Sequence, residues 1–394
     1  MTNNLRISIF IAATAAYWGS LYTYVPLLSP YAEHLGAGLT MVGFIVSAYG
    51  FSQLLLRVPI GILSDKLGKR RMFMILGGVS SLLAALGIAF TTSPAYLLVF
   101  RALSGVAASM WVAYTVLFAS YFPAGKTANS MGIMLAVSSS AQLLASWGGS
   151  WLAELYGWHA AFQAAVVLAA LAVALASLVT DNSAPRQQTL RFSELLGMGK
   201  SPQLLMVSIL AAFSQYLQFA TVHGFTPSFA TDVLGATKSQ LGLLTLVSTI
   251  PTAIASLLGG TWLTKHLPEK LLVIGGFILA GAAALIIPMT SSMPILYVTQ
   301  VIGGVGRGIL FPVLMARSIQ TVAPERKATA MGFFQSIYAL GMTVGPAVSG
   351  ILGQIWGIQS VFISAGCIGL IAALLATRAL RKSKPAPKAA TVTH

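Results

Sequence analysis

Acidic side chains are almost missing from this chain. Eight Asp and Glu stand among 394 residues, and charged residues of both signs make up only 8%. A water-soluble globular protein carries about 25% charged residues, so most of these side chains meet something other than water. Hydrophobic residues make up 56%. Cysteine occurs once, as Cys367, which excludes a disulfide framework and a cysteine-based metal cluster. No acid falls deep inside an apolar run. Asp65, Asp181, Glu194, Glu269 and Glu325 lie at one set of ends, and Glu33, Glu154 and Asp232 at the other. The H-E-x-x-H and G-x-S-x-G patterns and any cysteine–histidine arrangement are lacking too, which speaks against an enzyme. No loop is long enough for a soluble signalling module, which speaks against a receptor. The first apolar run, about 7–31, is too long for a cleavable signal core and has no small-residue cleavage site.

What the chain does have is long apolar runs. A helix crossing a bilayer needs about 20 mostly apolar residues. Twelve segments qualify, near 7–32, 41–62, 72–91, 96–120, 129–152, 160–180, 203–230, 240–262, 271–290, 295–316, 329–352 and 359–378. They are too long and too uniformly apolar for barrel strands, so the fold class is an all-α membrane protein. The net charge of +15 is not a nucleic-acid surface, because the basic residues collect in loops on one side. With the N-terminus inside, nineteen Lys and Arg fall in inner segments, while outer loops hold only Lys238. Both termini are then cytoplasmic. Three arginines, Arg57, Arg101 and Arg307, remain within spans.

The stretch Gly61-Ile62-Leu63-Ser64-Asp65-Lys66-Leu67-Gly68-Lys69-Arg70-Arg71 sits between the second and third runs. It reads as a tight charged hairpin. It resembles the loop between the second and third helices of major facilitator superfamily transporters, G-x-L-x-D-x-x-G-R/K-R/K. Gly61, Leu63, Asp65, Gly68, Lys69 and Arg70 fit the pattern. The resemblance implies two six-helix bundles related by an axis along the membrane normal, with a solute site between them near the midplane. It also implies that this loop is a conformational latch, in which Asp65 faces the start of the eleventh helix near Thr329 and releases when the inner side opens. The family often adds an acid at the inner end of the fourth helix; here that end reads Ser120-Tyr121-Phe122-Pro123.

An internal repeat agrees with two halves. At an offset of about 200 residues, Met131-Gly132 meets Met331-Gly332, Gly157 meets Gly357, and Phe162 meets Phe362. One residue less pairs Tyr17 with Tyr216, Leu35-Gly36-Ala37 with Leu234-Gly235-Ala236, and Gly105-Val106 with Gly304-Val305. The expected division is an N-terminal bundle over 1–180, a cytoplasmic linker over 181–202, a C-terminal bundle over 203–380 and a disordered basic tail over 381–394. The second half carries a worn copy of the charged loop: Gly260 stands for Gly61, but Thr264 replaces Asp65.

Candidate substrate and coupling residues follow from polarity inside the spans. Arg101 opens Arg101-x-x-x-Gly105, which resembles the family's fourth-helix motif and its ion-coupling arginine. Arg307 lies near mid-bilayer among Gly303, Gly304, Gly306 and Gly308, beyond comfortable reach of the headgroups. Arg57, one turn before Gly61, is close enough to the inner surface to snorkel. The first and seventh helices line the cavity in this superfamily. Here they offer Tyr17, Trp18, Tyr22 and Tyr24, and Gln215, Tyr216, Gln218 and His223. Tyr24 and His223 are mates under the repeat, and His223 can take up a proton near neutral pH. Gln142, Gln335 and Tyr338 complete the set, although such polar residues also serve as glue between helices. Buried arginines without buried acids favour an anionic solute.

The expectation is a secondary transporter of a small organic solute, an organic anion favoured, working by alternating access as a monomer in a bacterial inner membrane. It needs no cofactor or metal, touches the lipid bilayer and its solute, and binds no nucleic acid. The alternative is a proton-coupled drug or metabolite exporter. Against it, the antiporter motif G-x-x-x-G-P-x-x-G-G is missing from the fifth helix, where Ala141-Gln142-Leu143-Leu144-Ala145-Ser146 stands.

Overall fold

A backbone in lipid must close its own hydrogen bonds, and every regular element among the described residues is helical. The computed structural model describes residues 3–122, 127–181, 197–320, 322–323 and 326–379. Lys126, Arg186, Arg191, Glu194 and Glu325, most of the expected linker 181–202 and the tail 381–394 lie outside them.

The N-terminal half starts with α1 (Asn3–Tyr22), a 3-10 turn (Val25–Leu27) and α2 (Leu28–His34). It continues with α3 (Leu39–Leu67), α4 (Arg70–Phe90), α5 (Pro94–Ser109), α6 (Trp111–Ala119), α7 (Thr127–Tyr156) and α8 (Trp158–Leu178). The C-terminal half has α9 (Pro202–Leu217), a π-helical stretch (Gln218–Phe225), α10 (Thr226–Asp232) and α11 (Lys238–Leu258). Then come α12 (Glu269–Ile286), α13 (Met293–Gln320), α14 (Lys327–Trp356) and α15 (Ile358–Ala379). Among the described residues, ten spans are long and apolar enough to cross a bilayer. The first and fifth expected spans are not among these ten. The first is interrupted at Pro26, and α7 carries Ser138-Ser139-Ser140, Gln142 and Ser146, which lower its hydropathy.

The fourth expected span divides at Met110 into α5 and α6, and two other boundaries that position the site differ from the sequence reading. The first span is not one helix, because Pro26 removes a donor and a 3-10 turn takes over. The charged hairpin is shorter than expected, since α3 runs on through Pro59 and ends only at Gly68. Asp65 therefore rides on the last turn of α3, and only Gly68 and Lys69 connect it to α4. Gly68 caps α3 in the left-handed region at φ +62° with its N–H on Ser64 O. A side chain there would cost about 1 kcal/mol.

The repeat reappears in the contacts. Gly105 packs on the Tyr49 carbonyl, and Gly304 on that of Ser248, its counterpart. Gly157 and Gly357 precede α8 and α15 at φ +87° and +83°. Contacts between the halves run mainly through α3 with α14 and α7 with α11. At the end away from Asp65 these pairs touch backbone to backbone. Gly43 meets Pro346 and Gly350, and Gly242 meets Trp147 and Ser150. Lipid gives helices no hydrophobic reason to associate, so small residues that let backbones approach carry this packing.

Candidate functional site

Near the Asp65 end the halves part around a cavity of about 640 Å³. Its walls come from α1 (Trp18, Tyr22), α3 (Tyr49 to Asp65), α6 (Trp111), α7 (Met131 to Gln142), the α9–π segment, α13 (Phe311, Met315) and α14 (Met331 to Met342). Both halves therefore contribute. Both halves place aromatic rings on it, and Trp18 meets Tyr22 at 5.8 Å and Trp111 at 5.2 Å between ring centroids.

Of the candidates, Gln142, Gln215, Gln218, His223 and Tyr338 line the cavity, as do Gly61 and Asp65. His223 owes its position to the π-helical stretch, whose wider turn brings it to 3.3 Å from the Gln218 amide nitrogen and 6.3 Å from the Tyr22 ring. Tyr24, its sequence mate, does not line the cavity. The 3-10 turn points it into the N-terminal half, where its hydroxyl bonds Ser104 Oγ at 2.8 Å. Tyr17 is likewise a packing residue, stacked on Tyr114 at 4.6 Å.

The two deep arginines stand behind the wall. Arg101 is buried and neither snorkels nor lines the cavity; its guanidinium lies 4.3 Å from the Tyr49 ring centroid and 5.9 Å from that of Tyr24. Its Nε and Nη1 have no hydrogen-bond partner. Arg307 is also buried, with Nη2 unpartnered. The glycines beside it let α13 approach its neighbours: Gly304 and Gly308 face α11, and Gly306 faces α12. Arg57 departs from its expected place. It lines the cavity, with Nη1 donating to the Tyr338 hydroxyl at 2.8 Å across the halves and Nη2 donating to Gln53 Oε1. The sequence held a signal for this in Gln53 and Arg57, which lie four apart on one face of α3.

At the loop, Asp65 Oδ1 accepts from Arg70 Nη2 at 2.9 Å, so its ion pair lies within its own half. The backbone N–H of Arg71 donates to Asp181 Oδ2 at 2.8 Å, tying the start of α4 to the residues that follow α8. At the opposite end, Glu154 Oε2 accepts from the Ser239 N–H at the start of α11, at 3.2 Å, joining the halves. Lys238 lies 4.5 Å from the Trp158 ring centroid. Among the described residues no group of three His, Cys, Asp or Glu could hold a metal ion.

The sequence profile described as Major Facilitator Superfamily matches residues 9–222 and 208–393. The chain is 26% identical over 372 residues to the multi-drug resistance efflux pump PmrA of Streptococcus pneumoniae, covering 91% of this chain and 92% of that one. It is 25% identical over 367 residues to the purine ribonucleoside efflux pump NepI of Escherichia coli, covering 91% and 90%. Its fold is similar to an inward-facing, unoccupied bacterial homologue of the human lysosomal transporter Spinster, with TM-score 0.78, 15% identity and 96% of each chain covered. The nucleoside transporter NupG superposes with TM-score 0.75 at 16% identity over 96% of this chain and 100% of that one. A profile spanning both halves, on a helical fold with one cavity wall from each, establishes that this chain belongs to the Major Facilitator Superfamily of multi-pass membrane transporters.

Proposed function

We propose that this chain is a secondary transporter that carries a small organic solute, an organic anion favoured, across the plasma membrane by alternating access. Twelve crossings with both termini in the cytoplasm put the Asp65 end inside, so the described conformation faces inward. The carrying observation is a cavity between the halves that narrows to backbone contacts at the Gly43 end. The anion preference rests on charge. Among the described residues, Arg57 is the only Arg or Lys lining the cavity, and Asp65, the only acid lining it, is bound to Arg70. The reading is tested by thermal-shift screening of the purified protein against organic anions, sugars, peptides and cationic drugs. Anions are expected to raise the melting temperature. Stabilisation by lipophilic cations instead would replace this reading.

That second reading, a proton-coupled drug or metabolite exporter, is favoured by the aromatic wall and by relatives named as efflux pumps. His223 is then the imidazole on the cavity wall to test for proton exchange, by His223→Gln in a proton-driven uptake assay.

The latch keeps its place in the cycle. In this conformation Asp65 rests on Arg70; in the outward-facing one it meets the start of α14. Asp65→Asn is expected to slow transport roughly tenfold, as loss of a charge-assisted hydrogen bond does, with insertion unchanged. Wild-type rates in vesicles would remove the latch.

A further inference from the structure

Arg57 holds a position that Arg101 and Arg307 lack, because it lines the open space between the halves. Its current partners are both neutral: the Tyr338 hydroxyl on α14 and the Gln53 amide oxygen. Its Nε has no partner. Asp65 does not compensate it, being two turns further along α3 and paired with Arg70. A guanidinium in this state is held ready rather than satisfied. A carboxylate accepts two parallel N–H bonds from it, and such charge-assisted bonds are about twice as strong as neutral ones. An anion therefore outcompetes Tyr338 and Gln53 at Arg57.

We propose that Arg57 is the residue that binds the anionic head of the solute, and that the anion enters between Arg57 and Tyr338, replacing their direct bond. This rests on the anion reading above and adds both the binding residue and the shape of the cargo. The head is carboxylate-sized. The body is apolar and flat, matching Trp18, Tyr22, Trp111 and Phe219 on the adjoining wall. Tyr338 is held for its part by Phe311 and Phe334, each at 5.6 Å between ring centroids. Its hydroxyl, released from Arg57, donates to the same anion. The solute then bridges α3 and α14, one element from each half, so loading replaces a protein–protein link with one that only cargo supplies.

The test compares 2-naphthoate with 2-naphthamide, alike in body and different in charge. Binding is read by quenching of tryptophan fluorescence in purified wild type, Arg57→Gln, Arg57→Lys and Tyr338→Phe. Wild type is expected to prefer the acid by about tenfold or more. Arg57→Gln loses that preference while keeping its affinity for the amide. Arg57→Lys keeps part of it, since lysine supplies charge without the two-pronged geometry. Tyr338→Phe keeps the preference, because the cation remains. A merely structural Arg57–Tyr338 bond would instead make Arg57→Gln and Tyr338→Phe weaken both ligands alike. Should Arg57→Gln fail to fold, Arg57→Lys carries the test. A preference for the acid surviving in Arg57→Gln overturns the assignment and leaves the anion reading standing. Equal binding of acid and amide by wild type, or binding of neither, overturns both the assignment and the cargo class.

Discussion

Gly43→Val is expected to abolish transport and to hold the Gly43 end open. A Cβ at Gly43 would run into the Pro346 carbonyl oxygen and lie 3.0 Å from the Gly350 Cα. Both obstacles are backbone, so no rotamer change relieves them, and a well-packed interface has no slack to absorb a side chain. The halves can then separate at this end but cannot close it, which stops alternating access at one station. The measurement uses a single cysteine at Ser138, which lines the cavity, in a Cys367→Ser background. An impermeant maleimide should label wild type mainly from the cytoplasmic side and Gly43→Val from outside. Gly148→Val is the control, since nothing lies within 4 Å of a Cβ at Gly148. Transport at the wild-type rate in Gly43→Val would show that the contact opens and closes without being needed.

Closure of the same end is expected to depend on pH through Glu33. Glu33 on α2 and Asp232 on α10 are related by the offset that pairs Leu35-Gly36-Ala37 with Leu234-Gly235-Ala236, so the two halves present one carboxyl each. Neither Glu33 oxygen has a hydrogen-bond partner of normal geometry. Burial first, and then the Asp232 charge, push the Glu33 carboxyl up from the ordinary 4.5 to about 8. Ser228 faces the same carboxyl from α10. His34 is its neighbour on α2, and Lys238 is engaged with Trp158. When this end opens, water returns Glu33 to its ordinary range. The closed form therefore binds the proton more tightly than the open one. Its advantage is complete below about pH 4.5 and is lost as the pH rises through about 8. Labelling of the Ser138 cysteine from outside should rise over that window. Glu33→Gln, which stays neutral, should keep this end closed at alkaline pH. An unchanged pH profile in Glu33→Gln would assign the effect to another group.

Much of the architecture was legible because bilayer thickness and the backbone's need for internal hydrogen bonds leave few solutions. The motif from Gly61 to Arg70 located the charged connection, and run length located the spans. Three things were hidden, each for a physical reason. Asp65 reads as loop by charge but is helix, because helices continue until something stops them, and that stop is Gly68. Tyr24 and His223 are equivalent in sequence and not in space, since a 3-10 turn tightens one helix and a π-helical stretch widens the other. Arg57 looked close enough to water to snorkel, whereas its head turns inward to Tyr338. Depth along the helix was readable; rotation about its axis depended on contacts with α14 that no local pattern encodes.

Arg57 on the cavity wall bears on kinetics. To change sides, the protein must pass through a form closed at both ends, where an uncompensated guanidinium loses water and is costly. The anionic cargo proposed for Arg57 would cancel that charge, so the loaded protein would cross the barrier more easily than the empty one. A carrier built this way turns over fastest when it has freight in both directions. On the proposed anion reading, flux one way is expected to rise with the concentration of solute waiting on the far side, as it does in an exchanger.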